Sequence, residues 1–217
     1  MRTASLAPFD DPMSAAAAAA AAAPAVTHLL YLHGFRSSPQ STKATKVGAW
    51  MAGHRPDVVW WCPQLAVSPA AAMRDIFAGI AEWPRERTGI IGSSLGGFYA
   101  TVVAERHGGR AVVLNPAVHA ARDLAKAIGT TKAWHSDAAI EFRPEYVDEL
   151  SALAPPVELT DPDRYLAVIA TGDEVLSWRE MRARYAACHL RIVEGSDHAL
   201  SDFDAHLPAV LAFLGLL

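Results

Sequence analysis

Short apolar runs, many of them rich in β-branched residues, recur along the chain and are separated by longer amphipathic stretches. The runs are continuously apolar in character rather than alternating, which is typical of strands covered on both faces. The pattern therefore predicts a sheet of about six buried strands. The predicted strands are residues 27–32, 57–61, 88–92, 110–114, 165–170 and 190–193.

The stretches between these runs place apolar residues at helical spacing, so each predicts a helix with one face against the sheet. Alternation of strands and helices predicts an α/β fold with a doubly wound, mainly parallel sheet and right-handed crossovers. The clearest stripes are Ala44, Val47, Gly48 and Met51; Trp178, Met181, Tyr185 and Cys188; and Phe203, Leu207, Val210, Leu211 and Leu214.

One interval, residues 117–164, breaks this alternation because it contains no convincing strand. A structureless loop of this length is unusual, so we expect a small helical cap insertion over one end of the sheet. An ordinary crossover containing two helices is the alternative. Both interpretations leave residues 25–217 as one domain.

Residues 1–24 form a low-complexity, alanine-rich leader, which we expect to be disordered. Asp10 and Asp11 lie where a secretory signal would be positively charged, so we expect a cytoplasmic protein. The two cysteines, Cys62 and Cys188, lack C-x-x-C spacing, which argues against a disulfide framework or a zinc site. No apolar run approaches the ~20 residues needed to span a bilayer.

Charge narrows the class of partner. The chain has 19 Lys and Arg against 23 Asp and Glu, a formal net charge of −4, and it has no basic cluster. Such a chain is a poor candidate for binding phosphate backbones, so nucleic acid is disfavoured. Small-molecule substrates fit this composition better.

The strongest chemical signal is the segment GSSLG, residues 92–96, which lies between a predicted strand and a predicted helix. It fits the pattern G-x-S-x-G with Ser94 at its centre. A serine on such a strand–turn–helix elbow exposes its hydroxyl, and the flanking glycines avoid a clash. The segment therefore predicts Ser94 as a nucleophile. A glycine-rich turn with a structural serine is the alternative.

A serine nucleophile needs a base, and the base needs an acid that orients it. His198 follows the last predicted strand and precedes the last predicted helix, so we assign it as the base. Asp173 follows the strand 165–170 and is the predicted acid, with Glu174 as the fallback. The other suitable position for an acid holds Asn115, which carries no charge.

Two backbone N–H groups are predicted to form an oxyanion hole. One belongs to Leu95, the residue after the nucleophile, and the other to Phe35 in the loop after the first strand. Gly34 permits close approach of the backbone and is a substrate-binding candidate. Arg36 is a second candidate because a guanidinium at this position can hold an anionic group. A solvated loop cation is the alternative for Arg36.

Five ordered motifs, LHGFRSSPQSTKA, GSSLGGFYAT, LNPAV, TGDEV and DHALSDF, together resemble the small α/β-hydrolase family typified by the bacterial esterase YqiA. The resemblance covers about residues 27–217. It implies an α/β-hydrolase fold and a serine esterase acting on carboxylic esters or acyl thioesters. It also implies that Ser94, Asp173 and His198 are the nucleophile, acid and base. The leader and Arg36 depart from the family pattern.

The sequence thus predicts a serine hydrolase that forms an acyl-enzyme on Ser94, without a metal or organic cofactor. Its expected partner is a small acyl ester or thioester, and the expected state is a monomer or small homo-oligomer. An acyltransferase or a peptidase using the same triad is an alternative, because the triad does not fix the acyl acceptor. A catalytically inactive hydrolase fold that serves as a binding protein is a further alternative.

Overall fold

A computed structural model describes residues 24–133 and 139–217. The predicted leader lies outside these residues except for Pro24. The strands are β1 (His28–Leu32), β2 (Val59–Trp61), β3 (Thr88–Ser93), β4 (Arg110–Leu114), β5 (Gly129–Lys132), β6 (Ala139–Phe142), β7 (Tyr165–Ala170) and β8 (His189–Val193).

The helices are α1 (Thr42–His54), α2 (Pro69–Gly79), α3 (Leu95–His107), α4 (Ala120–Ala125), α5 (Pro144–Leu153), α6 (Trp178–Arg184) and α7 (Leu207–Phe213). In the part of the chain that the structure describes, none of these helices combines the length and apolar character needed to cross a membrane.

Six strands form one sheet in the order β2-β1-β3-β4-β7-β8, and every neighbouring pair is parallel. The predicted doubly wound α/β sheet is confirmed. The predicted strands 110–114 and 165–170 coincide with β4 and β7. The chain moves outward from β1 to β2 and then crosses back to β3, so the direction of winding reverses between β1 and β3.

Both faces of the sheet are buried, which explains why the strand sequences are apolar at successive positions. In β1, Leu30 and Leu32 pack into one core cluster, whereas Leu29 and Tyr31 pack into the other. The first cluster includes buried residues of α2, α3, α4, α5 and α6. The second includes those of α1 and α7. Full burial of a leucine side chain stabilises the fold by about 1.5–3 kcal/mol.

The segment 117–164 differs from the sequence-based expectation because it contains two strands. It carries α4 and α5, but between them β5 and β6 pair as an antiparallel two-stranded ribbon. Most ribbon positions are exposed or half-buried, and Phe142 is the buried exception. A ribbon exposed in this way needs no continuous apolar run, so the hydrophobic pattern does not reveal it.

Helix α5 is joined to α2 by a shared carboxylate. Glu149 of α5 accepts hydrogen bonds from the Ser68 hydroxyl at 2.7 Å and from the Ala70 N–H at 2.9 Å, at the N-terminus of α2. The Ser68 hydroxyl in turn accepts from the Ala71 N–H at 3.1 Å. Helix N-termini have unpaired N–H groups and favour negative charge, so these bonds stabilise both the cap and the contact between the helices.

Candidate active site

Four loops that follow the carboxyl ends of parallel strands converge at one edge of the sheet. Ser94 follows β3, Asn115 follows β4, Asp173 comes after β7 and His198 comes after β8. The edge includes the crevice between β1 and β3, where the winding of the sheet reverses. Open α/β sheets bind ligands at such reversal points, so the fold itself favours a site here.

Ser94 occupies a strained turn between β3 and α3. Its backbone has φ 56° and ψ −120°, a conformation that non-glycine residues rarely adopt. The turn is held by hydrogen bonds from the Ser94 N–H to the Leu114 carbonyl and from the Ala117 N–H to the Ser94 carbonyl, both at 3.0 Å. The strain is therefore maintained by the end of β4 and the residues after it.

The two glycines of the motif are required by close approach of the backbone. A Cβ atom on Gly92 would lie 2.1 Å from the Gly96 carbonyl oxygen. A Cβ atom on Gly96 would lie 2.0 Å from the Leu32 carbonyl oxygen. Helix α3 thus begins in contact with the end of β1, which brings Ser94 next to the loop that follows β1.

The structure brings the three side chains predicted as nucleophile, base and acid together. The His198 Nε2 atom lies 3.1 Å from the Ser94 Oγ atom, and the His198 Nδ1 atom lies 2.7 Å from Asp173 Oδ2. The Asp173 side chain is fully buried, whereas that of His198 is 20% exposed. This geometry can move a proton from the serine hydroxyl to the imidazole while the carboxylate orients the ring.

Asp173 is held in position by its own backbone turn, because its Oδ1 atom accepts hydrogen bonds from the Val175 and Leu176 N–H groups, both at 2.8 Å. The fallback acid, Glu174, makes a different contact. Its Oε2 atom accepts from the His198 backbone N–H at 3.0 Å rather than from the ring. The contacts therefore favour Asp173 over Glu174 as the acid.

The loop after β1 lies against the elbow. A Cβ atom on Gly34 would be 3.7 Å from the Ser94 Oγ atom. Within residues 24–133 and 139–217, no protein acceptor takes the backbone N–H of Phe35 or of Leu95. Both residues line the same cavity. The two predicted oxyanion donors are thus available to a ligand beside Ser94.

Two side chains fix this loop to its surroundings. The His33 Nε2 atom accepts from the Leu65 N–H at 3.2 Å, so its Nδ1 atom carries the proton and donates to the Gly34 carbonyl at 3.0 Å. The Arg36 guanidinium donates to the Lys132 carbonyl of β5. Arg36 therefore connects the loop to the ribbon, and it also lines the same cavity as Phe35 and Leu95.

Asn115 makes contacts within the site that the sequence did not reveal, because only its lack of charge was considered. Its fully buried amide donates to the Asp197 and His198 carbonyls at 3.0 and 3.1 Å and accepts from the Ala170 N–H at 2.8 Å. One side chain thus joins the loop that carries the predicted base to the strand that leads to the predicted acid. Asn115 also has φ 41°, which asparagine tolerates better than most residues.

Changing Asn115 to Asp should lower kcat by about 100-fold, because small displacements of a catalytic group have effects of this size. The new carboxylate keeps the acceptor for Ala170 but places negative charge against two carbonyl oxygens. Charge near His198 should also shift the acidic limb of the pH–rate profile to higher pH. The measurement is the pH dependence of kcat and kcat/KM with p-nitrophenyl butyrate.

Ser201→Ala is the matched control, because the Ser201 hydroxyl bonds Asp197 in the same loop at 2.6 Å without contacting Asn115. Ser201→Ala should leave the pH dependence of kcat and kcat/KM unchanged. An Asn115→Asp variant that has normal kinetics, or that loses activity only by unfolding, would show that the amide does not position the base.

Two adjoining cavities, each of about 400 Å³, open beside the elbow. The first, here called the ribbon-side cavity, is lined by residues that include Phe35, Arg36, Leu95, Tyr99 and Ile140. The second, here called the Lys43 cavity, is lined by residues that include Tyr31, Ser41, Lys43, Ser94, Glu174 and His198. The candidate site therefore has room for groups on both sides of Ser94.

Neither cysteine is a competing nucleophile. Burial raises the pKa of Cys62 and that of Cys188 to about 12, so both thiols are protonated at neutral pH. Among the residues that the structure describes, no group of three or more His, Cys, Asp or Glu side chains is arranged to hold a metal ion.

Solved structures share this fold at low sequence identity. Est1E from Butyrivibrio proteoclasticus with bound ferulic acid is 16% identical, with a TM-score of 0.66, and the match covers 88% of each chain. Alpha/beta hydrolase domain-containing protein 10 from mouse is 14% identical, with a TM-score of 0.61, over 84% of this chain and 86% of that chain. An esterase from Pyrococcus furiosus is 14% identical, with a TM-score of 0.57, over 86% and 82%.

These similarities confirm the α/β-hydrolase fold that the motifs implied. The sequence comparison is more specific, because it covers nearly all of the described sheet and helices. Residues 28–215 match the profile of an uncharacterised protein family, UPF0227, which is the YqiA family, and the chain therefore belongs to that family.

Proposed function

We propose that this protein is a serine hydrolase that cleaves carboxylic esters through an acyl-enzyme on Ser94. The observation that carries the proposal is the continuous chain of contacts from Ser94 Oγ through His198 to Asp173, with distances of 3.1 and 2.7 Å. The strained elbow and the unpaired N–H groups of Phe35 and Leu95 support it. Solved proteins of this fold that are named esterases are consistent with it.

In the first half of the reaction, the Ser94 Oγ atom attacks the acyl carbon as its proton moves to His198 Nε2. The negative charge that develops on the carbonyl oxygen is stabilised by the N–H groups of Phe35 and Leu95. Collapse of this tetrahedral intermediate breaks the bond to the alcohol. The departing oxygen takes the proton from His198, and the acyl group stays on Ser94.

In the second half, His198 removes a proton from water as the water oxygen attacks the acyl-enzyme. Collapse releases the carboxylic acid and returns the proton to Ser94. Asp173 stabilises the positively charged imidazole in both halves. Acyl thioesters fit the same scheme with a thiol as the leaving group, and we include them in the proposed substrate class.

A fluorophosphonate probe tests the nucleophile directly. We expect one label for each protein chain, located by peptide mass spectrometry on Ser94, with p-nitrophenyl butyrate slowing the labelling. Hydrolysis of p-nitrophenyl butyrate and of butyryl-CoA, measured side by side, compares ester with thioester. A folded protein that neither reacts with the probe nor hydrolyses either compound would instead support an inactive binding protein.

Adding a second acceptor separates hydrolysis from acyl transfer. With methanol or glycerol present, a hydrolase releases mainly butyric acid, whereas an acyltransferase produces mainly the new butyrate ester. Product analysis by chromatography gives the ratio of the two. A predominance of ester product at modest alcohol concentration would contradict the hydrolase assignment while leaving Ser94 as the nucleophile.

A further inference from the structure

Two residues that line the Lys43 cavity carry hydrogen-bond donors for which the proposed reaction has no use. Tyr31 lines the cavity and is fully buried, yet its hydroxyl has no hydrogen-bond partner among the residues that the structure describes. Burial raises the pKa of Tyr31, so the group stays protonated and remains a donor. A buried polar group without a partner is rare in native proteins and needs an explanation.

Lys43 supplies the second set of donors. Its ammonium group donates one hydrogen bond, to the Ala199 carbonyl beside His198. Within residues 24–133 and 139–217, no carboxylate forms an ion pair with it. An ammonium group has three N–H donors, so at least two remain for a ligand.

The Lys43 side chain is half-buried. Burial lowers the pKa of Lys43 to about 8, although the negative charges of Asp197 and Asp173 act in the opposite direction. Protein carboxylates therefore do not fully compensate the loss of water around this cation. An anion that entered the cavity would compensate this loss of water.

The position of the Lys43 cavity indicates which part of the ester it would bind. It is lined by His198, the group proposed to return a proton to the departing oxygen. Leu95, one of the two proposed oxyanion donors, lines the ribbon-side cavity, and Phe35, the other proposed donor, lines both cavities. The acyl chain then occupies the ribbon-side cavity, which Leu95, Tyr99 and Ile140 help to line. The alcohol occupies the Lys43 cavity.

Among the residues that line the Lys43 cavity, Glu174 carries a carboxylate. It is exposed to solvent, and its Oε2 atom already accepts the His198 N–H. Exposed charges are screened by water, whereas partly buried charges act more strongly. The inner part of the cavity therefore favours a group rich in acceptor oxygens over a cation.

We propose that the Lys43 cavity binds the alcohol portion of an ester that carries a compact oxyanion, either a carboxylate or a phosphate, with Lys43 and Tyr31 as its ligands. The inference rests on the proposed ester hydrolysis and adds the substrate class to it. Lys43 and Tyr31 then determine specificity for the leaving group rather than the rate of the chemical step.

Four butyrate esters test this, because they share the acyl group and differ in the alcohol. Butyryl glycolate carries a carboxylate, butyryl glycerol 3-phosphate carries a phosphate, monobutyrin is neutral and butyrylcholine is cationic. Titration of released butyric acid measures kcat/KM for all four in one assay. We expect at least one anionic ester to exceed monobutyrin by about tenfold or more, and butyrylcholine to be the poorest. The anionic ester with the higher kcat/KM shows whether the Lys43 cavity prefers a carboxylate or a phosphate.

Lys43→Met keeps most of the length of the side chain but removes the charge, and it should reduce the ratio of anionic to neutral rates by about tenfold or more. Lys46→Met is the matched control, since Lys46 lies on the same helix and pairs with Asp204 at the surface. It should leave the ratio unchanged. Tyr31→Phe should lower the ratio without lowering the thermal unfolding temperature, because the hydroxyl has no partner to lose.

Three results would overturn the proposal. The first is a wild-type enzyme that hydrolyses monobutyrin or butyrylcholine as fast as the anionic esters. The second is an anion preference that survives in Lys43→Met, and the third is a preference lost in Arg36→Ala instead. Each of these leaves ester hydrolysis intact. Failure of the proposed function is distinguishable, because p-nitrophenyl butyrate would then not be hydrolysed and fluorophosphonate would not label Ser94.

Discussion

Replacing Ser94 by alanine is expected to lower kcat for p-nitrophenyl butyrate by about a millionfold and to abolish fluorophosphonate labelling. The substitution removes the one atom that forms the covalent intermediate, while the contacts of the Ser94 backbone with Leu114 and Ala117 remain. Binding should therefore persist. Steady-state kinetics and intact-protein mass spectrometry measure the two effects.

Ser94→Gly is an informative companion to the alanine variant. Both lack the hydroxyl, but glycine adopts φ 56°, ψ −120° without the strain that alanine retains. The glycine variant should thus be more stable than the alanine variant, by about 1 kcal/mol or more in denaturant unfolding. Ser93→Ala tests the neighbouring hydroxyl. If Ser93→Ala were inactive and Ser94→Ala active, the nucleophile would be Ser93.

Replacing Asp173 by asparagine should lower kcat by about 10⁴-fold with a much smaller change in KM. The carboxylate accepts from His198 Nδ1 at 2.7 Å and so keeps the proton on that atom, which leaves Nε2 free to receive the serine proton. An amide can instead donate to Nδ1, which favours the wrong tautomer and stabilises no positive charge. Steady-state kinetics at several pH values measure the loss.

Glu174→Gln provides the comparison, because glutamine retains an oxygen that accepts the His198 backbone N–H. It should have a far smaller effect on kcat than Asp173→Asn. Thermal unfolding of both variants separates catalytic loss from instability. A large loss in Glu174→Gln beside a mild one in Asp173→Asn would transfer the role of acid to Glu174.

The sheet could be predicted from the sequence because strands that are buried on both faces have continuously apolar sequences. The predicted strands correspond to all six strands of the main sheet, and only their ends differ, as in β2, which begins at Val59. The proposed order of nucleophile, acid and base could be predicted for a related reason. Each of the three side chains lies in a loop after a buried strand, so recognising the strands places the loops.

The ribbon β5–β6 could not be predicted, since its strands are short and mostly exposed and have no pattern that distinguishes them from loops. Asn115 and Lys43 were missed for a different reason. The roles proposed for them depend on contacts with residues far along the chain, such as Asn115 with His198 and Lys43 with Ala199. Local spacing carries no information about such contacts.

The shared carboxylate at the N-terminus of α2 has a consequence for how firmly the segment 117–164 is attached to the rest of the fold. Separating α5 from α2 would leave the Ser68 hydroxyl and the Ala70 N–H without their acceptor, Glu149. Opening this contact therefore carries a cost beyond lost apolar packing, and the two helices behave as one cooperative folding unit.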